Sequence, residues 1–321
     1  MAQPTNLYDT YDTKGIREDL VDVIYNISPE DTPILSAIPR AVATSTSHEW
    51  QTDALADPAA NAVIEGDDAT IDAMSATVRV KNYTQIQDKV IAVSGTQSSV
   101  DAAGRADEMA YQMAKKSKEL KKDMEFALVE ENVSVVGSAT AAREIGSLST
   151  WIKTNGDAGA STGALSTGFN ASTGLTAAPT SGTDRDLTEA ILKTVIKEVY
   201  SSGGDLDMLV VPPSVKQVIS GFNANTTRFG PAESRTEFAA IDVYASDFGD
   251  LQVVPNRVMA TSNGKECFLI QSDMLGAAYL RDFQVNDLAK TGDSEKKQLL
   301  VEWTLEVRNE AAHGIILDIN Q

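Results

Sequence analysis

The side chains of this 321-residue sequence best suited to nucleophilic or general-base chemistry are two histidines, His48 and His313, and one cysteine, Cys267. Neither histidine has a second one at ligand spacing, and the sequence holds no cysteine pair and no His-Glu-x-x-His pattern. His48 precedes Trp50 in a polar strand and His313 lies at a turn between the last two strands, so both read as turn or surface residues. Cys267, inside Glu-Cys-Phe-Leu-Ile, reads as a small buried hydrophobe that cannot form an internal disulfide, which fits a reducing cytoplasm. No P-loop or Gly-x-Gly-x-x-Gly follows a strand. The acidic clusters Glu65, Asp67, Asp68 and Glu130, Glu131 offer oxygen ligands, but their spacing matches no calcium loop, and they read as solvated surface. Trp50, Trp151 and Trp303 read as core or interface residues. The expectation is therefore no catalytic constellation, no cofactor and no metal site.

The charge balance narrows the partners. With 46 acidic against 27 basic residues the net charge is −19, which disfavours a sequence-independent grip on phosphate. The polar start Met-Ala-Gln-Pro-Thr-Asn lacks a basic segment and an apolar core, and no run of about 18 apolar residues occurs, so neither export by that route nor membrane spanning is expected.

The elements that would position any site are unusual for an enzyme. A short helix over 15–25 and two Pro-started turns, Ser28-Pro29 and Thr32-Pro33, read as an extended arm. A polar strand over 43–55 and an alternating strand over 77–90 predict a long two-stranded loop, with Arg79, Lys81, Gln85, Gln87 and Lys89 on one face. An amphipathic helix is predicted over 101–135, with Met109, Met113, Leu120, Met124, Ala127 and Leu128 as its apolar stripe. Lys115 with Glu119 and Lys121 with Glu125 are spaced as pairs on its wet face. Residues 155–183, rich in Gly, Ser and Thr, read as an insertion or surface loop. Asp186-Leu-Thr-Glu189 reads as a capping box before a helix carrying Ile191, Leu192, Val195, Ile196 and Val199. Strands at 207–211, 239–244, 251–254, 267–271 and 277–280 with a helix over 214–222 predict an α+β unit. The alternating run Leu299, Val301, Trp303, Leu305, Val307 is expected to pair with a last strand over 314–319.

Arm, β-loop, long helix, insertion, α+β unit and returning strands resemble, in that order, the HK97-type major capsid proteins of tailed phages. Four stretches are closer to the SU10-like major head proteins: Ser28-Pro-Glu-Asp-Thr-Pro-Ile-Leu35 with His48-Glu-Trp-Gln-Thr-Asp-Ala-Leu55; Asn82-Tyr-Thr-Gln-Ile-Gln87 with Val93-Ser-Gly-Thr96; Ser246-Asp-Phe-Gly-Asp-Leu-Gln-Val-Val-Pro-Asn-Arg257; and Leu280-Arg-Asp-Phe283 with Leu288-Ala-Lys-Thr-Gly-Asp-Ser294. The resemblance implies an N-terminal arm (1–43), an extended E-loop (44–93), a spine helix with insertion in a peripheral domain (94–183), an axial domain (184–282) and C-terminal strands returning to the peripheral domain (283–321). It implies pentamers and hexamers of this chain closing into an icosahedral head around double-stranded DNA, assembled in the host cytoplasm, with no sequence-specific DNA contact and no membrane. Candidate inter-subunit contacts are Trp50, Glu65, Asp67, Asp68, Arg79, Lys81, Tyr83 and Lys89 on the loop, and Arg228 and Arg235 in the 223–237 segment at the symmetry axes. Decoration or cement protein, scaffolding protein and portal are partners such shells use; the sequence leaves open which apply. The alternatives are an encapsulin-like compartment shell, a soluble acidic enzyme with an unrecognised site and, against the absent export signal, a surface adhesin.

Overall fold

The computed structural model describes residues 31–56, 58–68, 71–100, 107–222, 242–260 and 264–320. The helix expected over 15–25, the Ser28-Pro29 turn and the segment with Arg228 and Arg235 lie outside them.

Two sheets and one long helix organise the rest. The first sheet has the order β1-β10-β11-β4, from β1 (Arg40–Val42), β10 (Leu275–Asp287), β11 (Ser294–Val307) and β4 (Gln85–Ser94). β10 and β11 form a long antiparallel hairpin, β4 runs antiparallel along the other side of β11, and β1 lies parallel to β10. The second sheet has the order β5-β12-β9-β6-β8-β7, from β5 (Gly156–Asp157), β12 (Gly314–Ile316), β9 (Cys267–Ile270), β6 (Met208–Val211), β8 (Gly249–Pro255) and β7 (Val243–Ser246). Strands β6 and β9 are apolar at nearly every position because both faces are covered. Val210, Phe268 and Ile270 join the core shared with the first sheet, whereas Leu209, Val211, Cys267 and Leu269 face α5 (Glu189–Ser201) and α6 (Pro213–Phe222).

The alternation over 77–90 is two strands. β3 (Val78–Tyr83) pairs with β2 (Ser47–Thr52) in the loop, the chain breaks at Thr84, and β4 enters the first sheet. The period of two lapses at the change of partner, where Asn82, Tyr83 and Thr84 are all buried. The last strand also departs from expectation: β12 pairs with β9 and β5 rather than with β11. The α+β boundary expected at 282/283 falls inside β10, whose whole length belongs to the first sheet.

The long helix, α3 (Glu108–Val129), has 22 residues, about 33 Å at ~1.5 Å each, and ends at Val129 rather than at 135, while residues 101–106 of the expected helix lie outside the described residues. Asp107 caps it by accepting from the Met109 and Ala110 amides. Beyond Glu130 the valines that prolonged the helical pattern are used otherwise: Val135 bridges Glu144 and Asn132 accepts from the Ser147 amide. Leu120, Met124, Ala127 and Leu128 are buried as predicted, with Met109 and Met113 partly buried against the same core. The side-chain pairs differ. Lys116, not Lys115, binds Glu119 at 2.7 Å, and Glu125 turns inward. α5 starts as its sequence indicates, although Thr188 rather than Asp186 is the cap, accepting from the Ile191 amide. The insertion is fastened on several sides: Phe169 stacks on Trp151 at 5.7 Å, and Ser166 donates to Thr150 and Ala177 carbonyls at 2.7 and 2.6 Å.

Candidate assembly surface

Strands β2 and β3 form a stalk whose two faces do different work. Residues opposite one another share a face, so His48, Trp50, Asn82 and Val80 look one way and Glu49, Lys81 and Arg79 the other. The first face grips the body. His48 Nε2 lies 3.0 Å from Glu306 Oε2, Trp50 Nε1 donates to the Val307 carbonyl at 2.8 Å, and the Trp50 ring sits 5.3 Å from Trp151. Asn82, fully buried, uses its whole amide: Oδ1 accepts from the Tyr83 and Gly146 amides, and Nδ2 donates to the Gly146 and Leu305 carbonyls. Such complete satisfaction is what makes a buried amide tolerable and a rigid anchor. The outer face carries an exposed Arg79–Glu49 ion pair, whose guanidinium hydrogen bond holds the Glu49 carboxyl below its usual pKa, and Lys81 lies over the Tyr83 ring at 5.4 Å.

Past the stalk, no strand forms among the described residues of 53–77. Gly66 adopts φ +85°, a left-handed geometry that glycine enters without strain, and the Asp67 amide closes a turn onto the Ile64 carbonyl at 3.1 Å. This excursion exposes Leu55 by 99%, Ile71 by 95%, Met74 by 93%, Val63 by 81% and Ile64 by 79%. Scattered single hydrophobes on a surface need no explanation, but five in one unsupported segment do. Between stalk and body opens a groove of about 700 Å³, with Leu55, Val78, Trp151, Phe169 and Val307 among its walls.

The candidate contacts divide accordingly. Glu65, Asp67 and Asp68 are exposed at the tip and Arg79 on the stalk. Tyr83 is buried, Trp50 is committed to Val307 and Trp151, and Lys89 binds Asp123 of the long helix at 2.5 Å. Gln85 and Gln87, read on one face with Arg79, Lys81 and Lys89, also bind their own chain: Gln85 accepts from the Ile145 amide and Gln87 from the Trp303 indole.

Two buried carboxylates that were not singled out hold the base of this surface. Glu302 accepts from Arg143 at 2.6 Å, Arg281 at 2.7 Å and Thr84 at 2.9 Å. Burial opposes its ionisation, but the hydrogen bonds from Arg281 and Thr84 and the two guanidinium charges outweigh it and lower the pKa. Glu125 is fully buried in α3 and accepts from the Ile34 and Leu35 amides at 3.0 and 2.9 Å and from Asn256 Nδ2 at 2.7 Å. Those two amides are unpaired donors of the first turn of α1 (Pro33–Ala37), whose N-cap Thr32 makes no side-chain cap. This turn is capped instead from another helix, by a residue 91 positions from Ile34. Burial dominates and raises the Glu125 pKa to about 7 despite these bonds. A sign was present in the sequence, since Glu125 lies three and four residues before the buried Leu128 and Val129.

The residues first considered for chemistry are enclosed. Cys267 is fully buried, and burial pushes its thiol pKa up. His313, expected near a surface turn, is fully buried, accepts from the Gln271 amide at Nδ1, and has its pKa pushed down to about 4 by burial. Among the described residues no three His, Cys, Asp or Glu side chains converge as a metal site, and no helix is long and apolar enough to cross a membrane.

The sequence profile described as SU10 major capsid protein matches residues 3–320. The major capsid protein of Escherichia phage Phieco32 is 30% identical over 98% of this chain and 97% of its own length. Among solved structures, the capsid asymmetric unit of cyanophage A-1(L) superposes with a TM-score of 0.66 at 14% identity, over 99% of this chain and 100% of that one. The holo-SrpI encapsulin of Synechococcus elongatus PCC 7942 superposes with a TM-score of 0.58 at 10% identity, over 98% and 96%. At those identities the two structures establish a shared fold.

Proposed function

This chain belongs to the SU10 major capsid protein family, and from that premise we propose how it builds its shell. It is a major capsid protein of a tailed phage with the HK97-type fold, a structural component of the virion head. In the proposed assembly the first sheet with α3 forms the peripheral domain and the second sheet with α5 and α6 the axial domain. Pentamers and hexamers of the chain close around double-stranded DNA without reading its sequence, and they assemble in the host cytoplasm. Decoration, scaffolding and portal proteins are the further partners to be sought. The net charge of −19 supports a wall that leaves the enclosed DNA mobile.

The observation that carries this reading is the stalk-mounted, apolar segment 53–77. Five nearly uncovered large side chains are unfavourable on a free chain, and a rigid stalk presents them to a neighbouring subunit. At ~1.5–3 kcal/mol per side chain, covering them is worth roughly 10 kcal/mol before ordering costs. Glu65, Asp67, Asp68 and Arg79 are the charged contacts proposed at the same interface.

Deleting residues 60–75 is expected to leave a soluble protein that forms no closed particles by light scattering and negative-stain imaging. The Ile71→Ser, Met74→Ser double variant is expected to lower particle yield without altering the isolated subunit. Normal particles from the deletion would refute the role given to the loop. The fold is shared with an encapsulin, so the nature of the enclosed cargo, nucleic acid or protein, separates the two kinds of shell.

A further inference from the structure

The C-terminal end of α3 opens onto a small cavity that neither the loop nor the family assignment explains. Its volume is about 10 Å³, room for one water-sized occupant. The wall includes Glu131, Thr180, Ser181, Lys265, Glu266 and Asp318, drawn from the spine's end, the insertion, the entry to β9 and the segment after β12.

Glu266 is the anomaly. It is 3% exposed, and no N–H or O–H group of the described chain donates to either of its carboxylate oxygens. Its polar neighbour is another acid, Glu131, with the charge of Asp318 also acting on it. Burial, Glu131 and Asp318 all push the Glu266 pKa well above the carboxylate range. A buried carboxylate without a donor or a cation is among the most unfavourable arrangements in a protein interior. Asp318 is already provided for, since its oxygens accept from the Gly159 and Gly182 amides at 2.8 Å each. The nearby cation, Lys265, is turned to Asp184 at 2.7 Å and leaves the Glu266 carboxyl without a donor.

The geometry points to a calcium site in this cavity, with the carboxylates of Glu131 and Glu266 as charged ligands and oxygens of the 179–181 segment completing the shell. Asp318 is held by the Gly159 and Gly182 amides, and no three acids converge as a metal site among the described residues; calcium can instead take backbone and hydroxyl oxygens in irregular geometry. Magnesium fits less well, because it holds several waters in a near-ideal octahedron and the space admits about one. An ion here would tie the 155–183 insertion to the end of the spine helix and to β9. Glu131 was read from sequence as solvated surface; its place at this inward cavity is what changes that reading.

The test uses the full chain, stripped with chelator and dialysed against calcium or magnesium at fixed ionic strength. Bound metal is counted by elemental analysis and thermal unfolding is followed in parallel. The wild type is expected to retain one calcium per chain and to gain about 4 °C in Tm at a hundredfold excess over Kd, with little effect of magnesium. Glu266→Gln and Glu131→Gln should each lose the ion and the Tm gain, whereas Asp250→Asn, altering an exposed acid of β8, should keep both. Retention of the ion by Glu266→Gln would overturn the assignment. So would an absence of stoichiometric calcium in the wild type together with a higher Tm for Glu266→Gln in chelator, which would mean that the two acids share a proton instead.

Discussion

Replacing Glu125 by glutamine should flatten the pH dependence of stability in one defined interval. The carboxyl is fully buried, its pKa rises from 4.5 to about 7 on folding, and burial is the main cause. Between those values the folded chain holds more protons than the unfolded one, so stability falls as pH rises. The full effect is ~3 kcal/mol at ~1.4 kcal/mol per tenfold change, of which about 2 kcal/mol falls between pH 5.5 and 8. With an unfolding entropy of ~2.1 cal/mol/K per residue, a chain of this size loses about 3 °C in Tm for that amount. Glutamine keeps the shape but does not titrate and has one oxygen, which at the Oε1 position still accepts from the Ile34 amide and Asn256 Nδ2. Its NH₂ group then meets the Leu35 amide donor, so a pH-independent cost of ~1 kcal/mol is also expected. Thermal and denaturant unfolding of both proteins at pH 5.5, 6.5, 7.5 and 8 would measure the difference, in which the other titrating groups cancel. Wild-type Tm should fall about 3 °C further than that of Glu125→Gln across the interval. Parallel curves would refute the claim that this carboxyl takes up a proton on folding.

Glu302→Gln should destabilise the chain by ~2–3 kcal/mol at neutral pH, because Arg143 and Arg281 lose their shared charge and keep only partial access to water. Since the Glu302 pKa is lowered, its contribution is present above the unfolded value and lost on acidification, so the variant should also show a shallower loss of stability below pH ~4. Gly314→Ala would bring a methyl group within 2.7 Å of Val195 Cγ1 and 3.1 Å of Val199 Cγ2, both in the buried face of α5. Overpacking there should cost ~1–3 kcal/mol, read as a lower denaturation midpoint with unchanged m-value.

Local periodicity made some parts of this molecule legible and hid others. The apolar stripe of α3, the helix α5 and the buried strands β6 and β9 follow from spacing and composition, and the structure places them where those patterns require. Partner choice is not written in period two. Asn82, Tyr83 and Thr84, three consecutive buried residues, interrupt the alternation, but nothing local says that the strand beyond them pairs with β11, far along the chain, rather than with β2. Glu302 and Thr304 alternate with apolar neighbours as solvent-facing residues would, yet both are buried, since Arg143, Thr84 and the β2–β3 stalk cover that face. For the assembly surface, the loop and its acidic tip could be read from sequence. The inward commitments of Trp50, Tyr83 and Lys89 could not, because each depends on a residue more than thirty positions away.

The position of β12 sets an order of events during synthesis. Residues 314–316 lie between β5 and β9, one strand in from an edge of the second sheet, so a ribosome must translate nearly all of this sequence before that side of the sheet can close. Until then β5 and β9 lack their shared neighbour, and the most sequence-distant pairings are the slowest to form. The apolar loop at 53–77 is translated long before. In the proposed assembly, a nascent chain therefore displays its contact segment before the sheet that completes the body has closed.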